Sequence, residues 1–303
     1  MENIKNSRKP LLVYIAGYGR SGSTLLDTLL GNHPAIFSAG ELSFWFEELL
    51  NGSLCSCGKP YHKCEFWQRI INQLHMKIPE FNYEEANCIT RNVEKVTFSN
   101  KSSINYINLW EITFNSILEV SEKEIIVDSS KSIRKTFRRV NLLTKNLDFE
   151  VKVIHLVRDP RAVIWSIQRG SNRLLEAGKP AKIFGGMLRG LIGWILVNGA
   201  VEMMRLQIKP SDILFLRYED IIAEPATQIL RVGNFLNIDI ETLIKHVEEK
   251  SPLNAGHGIA GNRMRRQGLI FFKKDEEWKY KLPQPIRLLS LLPLILFNKY
   301  GYK

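Results

Sequence analysis

Short apolar runs recur along this chain, and each stops at small or charged residues. Leu11-Leu12-Val13-Tyr14-Ile15-Ala16 has no polar position and ends at Gly17. After a glycine-rich turn, Leu25, Leu26, Leu29 and Leu30 recur at helical spacing, and Gly31 and Pro34 suit the end of that helix. Ile125-Ile126-Val127 runs into Asp128-Ser129-Ser130-Lys131, Val151 to Val157 into Arg158-Asp159-Pro160-Arg161, and Ile213 to Leu216 into Arg217-Tyr218-Glu219-Asp220. Helical patterns lie between, such as Ile229, Leu230, Val232, Phe235 and Leu236 after Pro225. Residues 42 to about 120 hold several helical stretches and no strong strand. Strands apolar at every position are buried on both faces, and strand–helix alternation predicts an α/β fold with a parallel sheet covered by helices on both sides. We expect a single domain over residues 1–303 with a helical insertion at about 42–120 that shapes one binding pocket. Ligands of such sheets sit beyond the carboxyl ends of the strands, so the four polar clusters should converge on one crevice.

The first turn carries the chemistry most directly. In Gly17-Tyr18-Gly19-Arg20-Ser21-Gly22-Ser23-Thr24 the backbone N–H groups can point inward, and the following helix adds partial positive charge. The spacing is close to the P-loop of enzymes that use ATP or GTP, but Ser23 stands where those enzymes need Lys, and the cation is Arg20 instead. The turn thus suggests an anionic nucleotide without triphosphate hydrolysis. A magnesium-dependent kinase and a non-catalytic nucleotide-binding protein are the competing readings.

Composition narrows the partners. The chain has 303 residues, 45% of them apolar, which is enough for a large core. A net charge of +11 suits a polyanion. Part of the excess is local, in Lys131, Arg134, Lys135, Arg138, Arg139 and Lys145, and in Arg263, Arg265, Arg266, Lys273 and Lys274; as charge runs, these read first as solvated faces. No nucleic-acid motif accompanies them, so a nucleotide with several phosphates is expected rather than nucleic acid. Lys5, Arg8 and Lys9 precede an apolar run too short for a signal peptide, which predicts a cytoplasmic protein. Ile286 to Phe297 is apolar but interrupted by Pro293, and is shorter than the roughly twenty residues of a spanning helix. A core or docking helix is expected there, with peripheral membrane contact as the alternative. Cys55, Cys57, His62 and Cys64 lie close together. Reduced, packed cysteines are the expected state, with zinc or a disulfide as alternatives.

Two motifs together resemble sulfotransferases that use 3′-phosphoadenosine 5′-phosphosulfate (PAPS). Gly19-Arg20-Ser21-Gly22-Ser23-Thr24 resembles that family's loop for the 5′-phosphosulfate, and Arg158 to Ser166 resembles its 3′-phosphate motif, in which an Arg and a Ser eight residues later hold the phosphate. Weaker likenesses are Val127 to Lys131, Arg217 to Asp220 and Gly261-Asn262-Arg263-Met264-Arg265. The chain resembles most the bacterial branch that also resembles tyrosylprotein sulfotransferases; His33-Pro34 and Gly40-Glu41 resemble the stretch around those enzymes' catalytic Glu. The usual Arg-Lys-Gly pattern of the closing loop is absent.

The resemblance implies sulfuryl transfer from PAPS to an acceptor hydroxyl or amine, with adenosine 3′,5′-bisphosphate as product and no metal expected. It implies Glu41 as general base, with His33 as runner-up because imidazole suits the task. Arg20 and Lys131 would steady the transferring group. Gly19, Arg20, Ser21, Gly22, Ser23, Thr24, Arg158, Ser166, Tyr218, Asn262 and Arg263 would hold the nucleotide, and Arg158 offers a planar fork that grips phosphate. Alone, Arg158 could equally pair with Asp159 or Glu219. His155, inside a strand, is expected to be buried and hydrogen-bonded. The acceptor stays open among small metabolites, glycans, lipids and peptides.

Overall fold

The computed structural model describes residues 9–94, 100–131, 133–169, 183–262, 264–265, 269–270 and 275–302. Arg263, Arg266, Lys273 and Lys274 lie outside the described residues. Strands β1 (Leu11–Ala16), β2 (Ile36–Gly40), β3 (Ile125–Asp128), β4 (Glu150–Val157) and β5 (Ile213–Arg217) form one parallel sheet in the order β2-β3-β1-β4-β5.

Every residue of the central strand β1 is buried, as an unbroken apolar run requires. Leu11, Val13 and Ile15 pack with Leu25, Leu26, Leu29 and Leu30 of α1 (Ser23–Leu30) on one face. Leu12 faces the other way, into a core built by α2 (Trp45–Leu50), α3 (Glu65–Lys77), α4 (Tyr83–Glu94) and α5 (Asn100–Ser121), where Trp45, Trp67 and Trp110 are buried. The segment 42–120 is therefore largely helical where described, apart from a turn-rich stretch bridged at Leu54 and Pro60, and it covers one face of the sheet. Further along the chain come α6 (Ile133–Asn146), α7 (Pro160–Gln168), α8 (Ile183–Arg205), α9 (Tyr218–Ala223), α10 (Pro225–Leu236), α11 (Glu241–Glu248), α12 (Trp278–Lys281), α13 (Gln284–Leu289) and α14 (Leu291–Leu296).

Strand β2 was not expected. Ile36-Phe37-Ser38-Ala39-Gly40 is short and partly small or polar. It joins the sheet because the Ala35 carbonyl accepts from the N–H groups of Glu124 and Ile125, and because Ser38 Oγ donates to Asp27 on α1 at 2.6 Å in the interior.

The basic clusters are not simply solvated. Arg139 is fully buried, bonded to Asp128 Oδ2 at 2.8 Å and Glu94 Oε1 at 3.1 Å, and its guanidinium lies 4.0 Å from the Trp110 ring centroid. Arg265 is likewise buried, paired with Asp27.

The carboxyl-terminal apolar run is not a core helix. Pro293 has no N–H to offer Leu289, and the run divides into α13 and α14. Ile286, Pro293 and Leu294 face inward, whereas Leu288, Leu289, Leu291, Leu292, Ile295 and Leu296 are exposed. Among the described residues α8 is the one helix long and apolar enough to cross a membrane. It also anchors in the protein: Trp194 and Asn198 are fully buried, and Asn198 meets His155 of β4 at 3.1 Å.

Candidate active site

The glycine turn is locked by its neighbours. Gly17 has φ +140, and a Cβ there would lie 2.2 Å from the Leu156 carbonyl oxygen, so only glycine lets β1 turn this close to β4. Gly22, φ +92, is the N-cap of α1, and a Cβ would lie 2.3 Å from the Tyr218 ring. Arg20 adopts φ +70, which costs a non-glycine residue energy and aims its carbonyl toward Arg158. No side chain caps α1, so its first N–H groups open onto the turn. Among the described residues, Ser21 Oγ is buried without a hydrogen-bond partner. Such unsatisfied groups at a helix start are suited to an anion.

Arg158 follows β4 directly and closes the far side of the turn. Its Nη1 donates to the Arg20 carbonyl at 3.2 Å, Nη2 lies 3.2 Å from Asp275, and the guanidinium sits 4.4 Å from the Tyr218 ring centroid. Its Nε is buried without a partner among the described residues. Pairing with Asp159 or Glu219 does not occur. Asp159 caps α7, accepting from Arg161 N at 2.8 Å and bonding the Arg161 guanidinium at 2.7 Å. Glu219 accepts from Asp159 N at 2.9 Å and from the Tyr302 hydroxyl at 2.8 Å. Burial pushes the Glu219 carboxyl above the usual glutamate range, and it raises the Tyr218 hydroxyl despite the nearby Arg158 charge. Tyr218 therefore buttresses the turn and Arg158. Ser166 lies half-buried on α7, the helix that leaves the same strand end. The Arg161 guanidinium stands 4.8 Å from the Trp278 ring centroid.

Glu41 and Lys131 meet at the adjacent ends of β2 and β3. Ser129 N donates to the Gly40 carbonyl at 2.7 Å, and Lys131 N to the Ser129 carbonyl at 2.8 Å. This places Lys131 Nζ 2.7 Å from Glu41 Oε1, with side chains only 11% and 16% exposed. Ser130 Oγ accepts from Ser43 N at 2.8 Å, fixing the turn to the start of the insertion. Since β3 is β1's neighbour, the pair stands beside the glycine turn.

A carboxyl-terminal segment completes the site. Ile259 bridges to Gly40 alongside β2, and its carbonyl accepts from Glu41 N at 2.9 Å. Asn262 N donates to Thr24 Oγ1 at 3.2 Å. Arg265 pairs with Asp27, which also accepts from Ser38 at 2.6 Å and Ser129 at 2.7 Å. This Asp27 centre was not expected, although an Asp inside Leu25-Leu26-Asp27-Thr28-Leu29-Leu30 is the signal that pointed to it.

His33 is not at the site. It follows α1 and precedes β2, at the opposite ends of the strands. Its Nδ1 accepts from Ala35 N at 3.2 Å and its Nε2 donates to the Asp239 carbonyl at 2.7 Å, so both ring nitrogens are occupied. His155 is buried as expected, and burial lowers its pKa to about 4.

Residues 12–252 match the sulfotransferase domain family. Among solved structures, the sulfotransferase domain of the Synechococcus PCC 7002 olefin synthase is similar at 19% identity and TM-score 0.56, over 100% of this chain and 98% of that one. The sulfotransferase domain from the Curacin biosynthetic pathway is similar at 21% identity and TM-score 0.57, over 98% and 99% of the two chains. At such identities the likeness carries the fold alone. No curated protein matches the sequence significantly. The family match runs from β1 past α11 and takes in the glycine turn, Glu41, Lys131 and Arg158 on its way; the chain belongs to the sulfotransferase domain family, and its chemistry is sulfuryl transfer.

Proposed function

We propose that this sulfotransferase takes its sulfuryl group from PAPS and passes it to an acceptor hydroxyl, with Glu41 as general base. The observation that carries this reading is the 3.2 Å contact between Arg158 Nη1 and the Arg20 carbonyl, which joins two anion grips into one cradle. The uncapped start of α1, with Gly19, Arg20, Ser21, Gly22, Ser23 and Thr24, suits the 5′-phosphosulfate. Arg158 and Ser166 suit the 3′-phosphate, with Tyr218 beneath and Asn262 beside Thr24; Arg263, expected to help hold the nucleotide, lies outside the described residues.

Glu41 takes the acceptor proton, and the acceptor oxygen attacks sulfur in line. The sulfur–oxygen bond to the nucleotide breaks, and adenosine 3′,5′-bisphosphate leaves with the electron pair. Lys131 has three donors and gives one to Glu41; it and Arg20 steady the oxygens that gain charge. An acceptor amine fits the same step. The sulfuryl group carries less charge than a phosphoryl group, so cations and N–H donors of the chain itself suit it.

Thermal denaturation with adenosine 3′,5′-bisphosphate, ATP–Mg²⁺ and AMP in parallel tests the reading, since a ligand that binds the native state raises the midpoint. The largest rise belongs to adenosine 3′,5′-bisphosphate. Equal rises, or the largest with ATP–Mg²⁺, overturn the donor assignment in favour of a phosphotransferase.

The exposed leucines of α13 and α14 support a peripheral membrane contact.

A further inference from the structure

Three cysteines and a histidine that play no part in the donor site converge on one point. Cys57 Sγ lies 3.6 Å from Cys64 Sγ, and Cys64 Sγ lies 3.8 Å from Cys55 Sγ. His257 Nδ1 stands 3.3 Å from Cys64 Sγ and 3.8 Å from Cys55 Sγ. All four ligand atoms fall within 4.8 Å of one another. A tetrahedral zinc ion with Zn–S of about 2.3 Å and Zn–N of about 2.0–2.1 Å has sulfur–sulfur edges of about 3.8 Å and sulfur–nitrogen edges of about 3.5 Å. These four separations match those edges. They far exceed the roughly 2.05 Å of a disulfide bond.

The surroundings are those of a built site. Cys55 N donates to the Lys59 carbonyl and Gly58 N to the Cys55 carbonyl, each at 2.9 Å, and Gly58 takes φ +84 to close the turn. Cys64 stands at the N-cap of α3. The His257 ring stacks on Phe66 with centroids 5.0 Å apart, and its carbonyl accepts from Trp67 Nε1 at 2.8 Å. Ring and backbone are thereby oriented, as a ligating imidazole needs. Cys55 and Cys64 are buried, His257 is half-buried and Cys57 stands at the exposed rim, so a cluster that is otherwise enclosed has one open side through which a metal can enter.

We propose that Cys55, Cys57, Cys64 and His257 bind a structural zinc ion that clasps the helical insertion to the segment passing beside Glu41 and Thr24. Four protein ligands close the coordination sphere, which is the pattern of a structural rather than a catalytic centre. Past the cluster, Ser56 Oγ donates to the Gly258 carbonyl at 2.9 Å, Ile259 N to the Ala39 carbonyl at 2.9 Å, and Ala260 N to the Tyr61 hydroxyl at 3.1 Å. The ion therefore holds the backbone that receives Glu41 N and, through Asn262, Thr24. The exposed His62, suggested by spacing alone, is not part of the cluster.

Metal analysis of the full chain, purified without chelator, tests this. About one zinc per chain is expected. Reconstitution with Co²⁺ gives the absorption of tetrahedral, thiolate-bound cobalt. Cys57→Ser and His257→Ala lose bound zinc and weaken that spectrum, whereas His62→Ala and Cys88→Ser retain both. Chelation lowers the unfolding midpoint of the unsubstituted protein, and added Zn²⁺ restores it. The proposal fails if the purified chain holds no zinc and the reduced chain yields no cobalt spectrum. It fails equally if mass spectrometry finds a disulfide among the three cysteines in metal-free protein that neither Zn²⁺ nor Co²⁺ loads after reduction. Because both spectrum and stoichiometry are read on the unsubstituted chain, a variant that does not fold leaves the test intact.

Discussion

The Lys131 ammonium sits 2.7 Å from the Glu41 carboxylate, and both are held by the paired ends of β2 and β3. Glu41→Gln keeps the shape of this pair but removes the proposed proton acceptor. Release of adenosine 3′,5′-bisphosphate from PAPS, followed over a panel of hydroxyl acceptors, should fall by about 10²–10⁴. Stabilisation by adenosine 3′,5′-bisphosphate should persist. A Glu41→Gln enzyme with undiminished turnover removes Glu41 from the base role.

Arg158 should decide nucleotide affinity. Hydrogen bonds to a charged group contribute about 1.5–3 kcal/mol, so Arg158→Ala should weaken adenosine 3′,5′-bisphosphate roughly 10- to 150-fold by calorimetry. Asp275 keeps Arg169 as a partner in that variant, which limits the structural cost. Arg158→Lys should not restore affinity, because an ammonium lacks the bidentate fork. Full rescue by lysine would mean that charge alone matters there.

Arg139 should be a stability residue. It is bonded to Asp128 and Glu94 with all three side chains buried, so Arg139→Met strands two carboxylates. Loss of one partner of a buried ion pair costs about 3–5 kcal/mol, which urea denaturation resolves. A cost below about 1 kcal/mol, the level of an exposed pair, contradicts the buried network.

His155 should make stability fall in mild acid. Burial holds its pKa at about 4 in the folded chain, against 6.5 for a free imidazole. The unfolded chain therefore takes up a proton first, and stability that is complete above the unfolded pKa declines as pH drops toward the folded one. The full loss is roughly 3 kcal/mol, from about 1.4 kcal/mol for each pH unit separating the two pKa values. Unfolding free energies of the wild type and of His155→Gln should converge between neutral pH and pH 4. Parallel curves would show that the histidine titrates alike in both states.

The leucine face of α13 and α14 should bind membranes weakly. Co-sedimentation with anionic phosphatidylserine vesicles should drop when Leu291 and Leu292 are both changed to Ser, two positions 45% and 55% exposed. Identical partitioning of the two proteins discards the contact.

Much of the sheet was legible because four of its strands are apolar runs that end in reactive residues. Leu11–Ala16 and the turn after it needed only local spacing. Strand β2 was not legible, because its Ser38 and Gly40 depend on Asp27 and Ile259, which are distant or hidden in another pattern. The same reason hides His257: it lies 193 residues beyond Cys64, and no spacing rule reaches that far. Arg139 and Arg265 looked like solvated charge because their carboxylate partners come from separate elements, and only the fold brings them inside.

The central place of β1 has a consequence for biosynthesis. Leu11 pairs with Ile125 on one side and Glu150 on the other, so this strand leaves the ribosome ahead of neighbours translated more than a hundred residues later. Until then its two edges are open, and a nascent chain offers them to any other strand. Gly17 abuts Leu156 and Gly22 abuts Tyr218, so the turn itself takes shape only after those residues emerge. The glycine-rich signature is thus translated well before the neighbours that give the turn its shape.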